Sequence, residues 1–135
     1  MEDLIAQLKK EHEYVLEKFT KVNELGLGTD GGYAEAWGAK DALFSHLQKE
    51  DKLLYPYLRR AAEENDELRS MLVIFSDEME AVAILADKFY SRYTVKTDLP
   101  SITDKFKVVY EQIKLRVKHE EEFIFKEFSK LNNGL

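Results

Sequence analysis

Apolar residues return every three or four positions through four long stretches of this chain, and that rhythm is the signature of helices burying one stripe each. In the first stretch, from about Glu2 to Leu25, the stripe reads Ile5, Leu8, His12, Val15, Phe19, Val22, with Lys9, Lys10, Glu13 and Lys18 between. In the second, from about Tyr33 to Ala62, it reads Leu43, His46, Glu50, Leu53, Tyr57. The third, from about Glu67 to Tyr93, offers Leu72, Phe75, Met79, Val82, Ala86 and Phe89. The fourth, from about Ile102 to Leu131, offers Phe106, Val109, Ile113, Arg116, Glu120 and Phe123. No stretch alternates with the period of a strand. Helices of about 25 to 30 residues, each roughly 40 Å long and joined by short connections, specify an all-α, up-down-up-down four-helix bundle. A chain of 135 residues is expected to form one such domain over residues 1–135.

The punctuation agrees with this division. Gly26-Leu27-Gly28-Thr29-Asp30-Gly31-Gly32 reads as a loop, and without a following Gly-Lys-Ser/Thr it is no phosphate loop. Pro56 falls inside the second stretch, where it removes a backbone hydrogen bond and should bend or break the helix. Glu63 to Asp66 is a polar turn with Asn65 or Asp66 as N-cap of the third helix. Thr94 to Pro100 is the last connection, Ser101 with Asp104 resembles a capping pair after it, and Asn132-Asn133-Gly134 ends the fourth helix.

Composition narrows the chemistry. The net charge of −6 argues against a nucleic-acid backbone as partner. The absence of cysteine excludes disulfides, thiolate metal sites and cysteine nucleophiles. No apolar run approaches the ~18 residues of a membrane span. The acidic start at Met1-Glu2-Asp3 is unlike a signal peptide, so the cytoplasm is the expected compartment. No serine stands in a recognisable hydrolytic motif, and an enzyme in the usual sense is not expected.

What the stripes hold besides apolar residues is the informative part. His12, His46, Glu50, Arg116 and Glu120 all occupy core positions, on the first, second and fourth helices. An imidazole or carboxylate in a leucine's place costs free energy unless something satisfies it. Two imidazoles and two carboxylates converging in a bundle are suitable ligands for a divalent metal such as iron, zinc or manganese. The other solution is a metal-free network in which the histidines and Arg116 pair with the carboxylates. The Glu-x-x-His motif of ferritin-like bundles is absent, because Lys9, Leu43 and Arg116 stand three residues before His12, His46 and His119.

Glu11-His12, followed by His46-Leu47-Gln48-Lys49-Glu50 and Leu54-Tyr55-Pro56, resembles the hemerythrin-like (HHE cation-binding) domain over nearly the whole chain. The resemblance implies a four-helix bundle with a carboxylate-bridged di-iron site, used to carry or sense oxygen, to sense iron, or to respond to nitric oxide. It implies His12 as the helix-one ligand and His46 and Glu50 as the helix-two pair. The helix-three histidine of the family falls on Met79, and the helix-four His-x-x-x-Glu falls on Arg116 and Glu120. Both bridging carboxylates are kept, and the two departures fall on one iron's set. The resemblance therefore implies one intact half-site (His12, His46, Glu50, Glu120) and one dismantled half-site (Met79, Arg116), hence one iron rather than two. It also implies a small diatomic ligand as partner beside the metal. Arg116 is expected to supply the missing positive charge by a bidentate bond to Glu50 or Glu120. Met79 is expected as core filling, His119 as a surface residue, and Glu121-Glu122 as a solvated face. Tyr14, Tyr55 and Tyr57 are expected to pack as aromatics.

Overall fold

A computed structural model describes residues 3–93 and 99–133. Among them every regular element is helical: α1 Leu4–Leu25, α2 Asp30–Leu53, α3 Tyr55–Ala62, α4 Asp66–Arg92, α5 Leu99–His119, a π-helical turn Glu120–Ile124, and α6 Phe125–Asn133. The protein is thus an all-α helical bundle. The six stripe residues of α1, from Ile5 to Val22, are all buried.

Three departures from the expected helices have local causes. α2 starts at Asp30, so Gly31 and Gly32 belong to a helix and not to the loop. Thr29 caps it, its Oγ1 accepting from the Gly32 amide at 2.9 Å. Gly32 fits there because a Cβ would run into the carbonyl of Gly26, itself held at φ 87°. That positive φ is open to glycine and strained for most residues. The second departure is at Pro56. α2 stops at Leu53 and α3 begins at Tyr55, with Pro56 in its first turn, where its missing N–H does no harm. The break moves the buried face by one residue. Leu53 is 53% exposed, Tyr57 only half-buried, and Leu54 and Leu58 are fully buried in their place.

The third departure is the π turn. The Phe125 amide donates to the Glu120 carbonyl, five residues back, which inserts one extra residue into the helix. The stripe therefore continues from Glu120 to Ile124, fully buried, and the expected Phe123 is 47% exposed. α5 itself starts at Leu99, so Ser101 lies within the helix and is not its N-cap. The expected connection over Thr94 to Pro100 falls largely on residues 94–98, outside the described residues. At the start of α4, Asn65 does cap, its side chain accepting from the Leu68 amide at 3.1 Å.

The core is in two parts. One apolar cluster includes Val15, Phe19, Leu43, Leu47, Val82, Phe106 and Ile113. The other includes Leu8, Leu54, Leu58, Phe75, Ile124 and Phe125. Along each of three helices the polar residues fall between the clusters: His12 between Leu8 and Val15, His46 and Glu50 between Leu43 and Leu54, Arg116 and Glu120 between Ile113 and Ile124. One polar layer thus crosses an otherwise apolar bundle.

Candidate metal centre

The layer is dry. His12, His46, Glu50, Arg116 and Glu120 are 3%, 4%, 0%, 7% and 1% exposed. His12, His46, Glu50 and Glu120 each offer a ligand atom, and the four atoms lie within 4.8 Å of one another. His12 Nε2 stands 2.8 Å from Glu120 Oε1 and 3.8 Å from Glu50 Oε2. His46 Nε2 stands 3.1 Å from Glu50 Oε2 and 4.0 Å from Glu120 Oε1. A cavity of about 20 Å³ lies among these residues, closed by Val15, Leu43, Leu47, Val82, Ile113 and Val117. It has room for one ion or one water. The tilted rings of His12 and His46 approach to 4.6 Å, and Phe125 stacks on His12 at 5.2 Å.

The outer nitrogen of each imidazole is held by a carboxylate from another helix. His12 Nδ1 is 2.7 Å from Glu121 Oε2, and His46 Nδ1 is 2.9 Å from Glu11 Oε1. Lys49 donates to the other oxygen of Glu11 at 2.7 Å. An ionised carboxylate only accepts, so Nδ1 of each ring carries the proton. A neutral ring then turns the lone pair of Nε2 to the centre, the arrangement of metal-ligating histidines. Both residues were missed as participants. Glu121 was expected in solvent, and Glu11 had no role assigned. The π turn brings two consecutive residues, Glu120 and Glu121, to the two nitrogens of the same ring.

The other oxygen of Glu120 faces different company. Tyr55 donates to Oε2 at 2.6 Å, and Arg116 Nη2 donates to it at 3.2 Å. Arg116 Nη2 also donates to the Tyr55 hydroxyl at 3.1 Å, and Nη1 to the Phe75 carbonyl at 3.0 Å. The guanidinium is therefore not bidentate on a carboxylate, as the sequence led us to expect. One nitrogen is spent on the backbone of α4. Tyr55 is part of the network, not aromatic filling. Tyr14 is 53% exposed, and Tyr57 packs edge-on against Phe128, so neither reaches the layer. Met79 is half-buried against the larger apolar cluster. His119 is half-buried, 3.2 Å from Glu78 and edge-on to Phe75.

Electrostatics separates the two carboxylates. Burial raises the Glu50 carboxyl, and the neighbouring Glu120 raises it further, against the pull of both imidazoles. Burial also opposes ionisation of Glu120. The neighbouring Glu50 carboxyl, the His12 and His46 imidazoles and the charge of Arg116 overcome that and hold it well below the usual range. Burial alone would depress the His12 imidazole, but Glu120 and Glu50 raise it to about 9. His46 is raised in the same way, against burial, to about 10.

The donor set fits a metal. Both oxygens of Glu50 and Nε2 of His46 are buried without a hydrogen-bond partner, although Nε2 lies 3.1 Å from Oε2. A fully buried carboxylate with no donor is costly unless a cation meets it. Nitrogen and carboxylate oxygen together suit a borderline divalent ion such as iron, zinc or manganese.

A helical bundle crossed by a buried layer of two imidazoles and two carboxylates defines a class of cation-binding bundles. The family model of the hemerythrin HHE cation binding domain matches residues 3–128, and the chain belongs to that family. No curated protein and no solved structure matches the chain.

Proposed function

We propose that this domain holds one divalent metal ion, iron in the first place, through His12, His46, Glu50 and Glu120, and binds a small ligand such as oxygen or nitric oxide there. The observation that carries the reading is the set of orphaned buried atoms, His46 Nε2 and both oxygens of Glu50, around a cavity the size of one ion. A bound metal supplies Lewis acidity, and iron adds redox chemistry. The chain supplies the rest. Glu121 and Glu11 fix the ring orientations, the valines and leucines exclude water, and Arg116 with Tyr55 neutralises and anchors the far oxygen of Glu120. The short connections favour an up-down-up-down order of the four helical arms, and the domain is read as a binding or sensing module, not an enzyme. No helix among the described residues is long and apolar enough to cross a membrane.

A second reading rests on Arg116. Because it already balances Glu120, protonated His12 and His46 complete a metal-free network, and the domain is then a structural or interaction bundle. Thermal unfolding with and without ferrous iron separates the two. Binding to the native state alone adds about 2.7 kcal/mol at a free-metal concentration near 100 Kd. The metal reading predicts a midpoint that rises with iron, returns with chelator and does not move in His46→Ala. A midpoint indifferent to iron, zinc and manganese rejects it in favour of the metal-free network.

A further inference from the structure

Beyond Arg116, away from the imidazoles, a cleft of about 460 Å³ opens between α3 and α4. Small-molecule pockets span about 300 to 1,000 Å³. Leu72, Phe75 and Met79 give it an apolar wall, and buried Tyr55 and Arg116 border it. Exposed residues mark the mouth: Arg59 on α3 and Arg69 on α4. Asp51 and Glu63 also border the cleft, but both are exposed and lie in water, where charges are strongly screened. Of the charged groups around the cleft, Arg116 alone is buried, and a buried charge is screened much less than an exposed one.

Arg116 also has capacity to spare. A guanidinium carries five N–H groups, and its bonds to Phe75, Tyr55 and Glu120 use three of them. Glu120 does not border the cleft. An acceptor entering from the mouth therefore meets the Arg116 guanidinium at the inner end and apolar side chains along the way.

We propose that this cleft is a binding site for an amphipathic organic carboxylate, its carboxylate on Arg116 and its apolar body against Leu72, Phe75 and Met79. The site is separate from the metal cavity and does not depend on a bound metal. Arg116 is the wall they share, since it borders both.

The test is a titration of the metal-free whole chain with 2-naphthoate, followed by calorimetry, with 2-naphthamide as the uncharged control. One naphthoate should bind per chain. The amide should bind about tenfold more weakly, the difference a charge-assisted hydrogen bond makes. Ser76 borders the cleft and is exposed, so Ser76→Trp should fill the space and abolish binding. If that variant does not fold, Val73→Trp, exposed on the same border, makes the same test. No binding, equal binding of the amide, or binding undiminished in the filled variant would each overturn the proposal.

Discussion

Glu120 has two oxygens, and they live in different proteins in miniature. Oε1 faces the Nε2 atoms of His12 and His46 around a small cavity, beside a Glu50 whose own oxygens have no hydrogen-bond partner. Oε2 faces Tyr55 and Arg116, which already satisfy it. On the proposed reading, one side of the layer takes a cation from outside, and the other side carries its own. On that reading, the difference shows how a chain can keep both carboxylates of a two-metal pattern while providing for one ion. A permanent guanidinium holds the second carboxylate in place where another metal ligand set is expected.

The strongest way to break that contrast is to remove the built-in cation and restore ligands. Met79→His with Arg116→His should raise the metal content from one ion per chain toward two, measured by elemental analysis after reconstitution. A double variant that still takes one would show that Tyr55 and the α4 backbone, not charge, close the second side. Next in size, Arg116→Leu leaves Glu120 Oε2 without its charge partner. Stability should fall by about 3–5 kcal/mol, as for other broken buried pairs, read from denaturant unfolding of the metal-free protein.

A smaller effect tests the other side. Glu121→Gln and Glu11→Gln each weaken the hold on one imidazole and should lower metal affinity about 10- to 100-fold. A further test of the same side is pH. In the metal-free protein His12 and His46 are raised to about 9 and 10 from 6.5. A raised imidazole stabilises the fold fully below its unfolded value and loses that contribution as pH passes its folded value. The metal-free midpoint should therefore decline between about pH 6.5 and pH 10. Metal ligation requires neutral imidazoles, so the loaded protein should not share the decline. A metal-free midpoint that rises over this range would remove the imidazole–carboxylate pairs from the account.

Much of this was legible in the chain. The stripe of α1 placed His12 correctly among Leu8, Val15 and Phe19, and the four-residue spacing of His46 and Glu50 put both in one layer. Leu53 and Phe123 were misplaced for the same kind of reason. A proline break and a π turn each shift the buried face by one residue, and a fixed helical period does not anticipate either. Gly32 looks like a loop residue until the approach of the Gly26 carbonyl explains it. The outer partners were less legible still. Glu11, Glu121 and Tyr55 act across 35, 109 and 65 residues of sequence. Each is a polar or aromatic residue of ordinary kind until the helices meet. The aromatic-Pro that carried the family resemblance did contain a signal, since Tyr55 sits at the very break that turns its hydroxyl toward Glu120.

The asymmetry between the two sides of Glu120 is tested most directly by counting metal ions. Wild-type protein, stripped with chelator, reconstituted with excess ferrous iron under anaerobic conditions and desalted, should retain one iron per chain, and His46→Ala treated alongside should retain none. Two irons per wild-type chain, or none, would contradict the account.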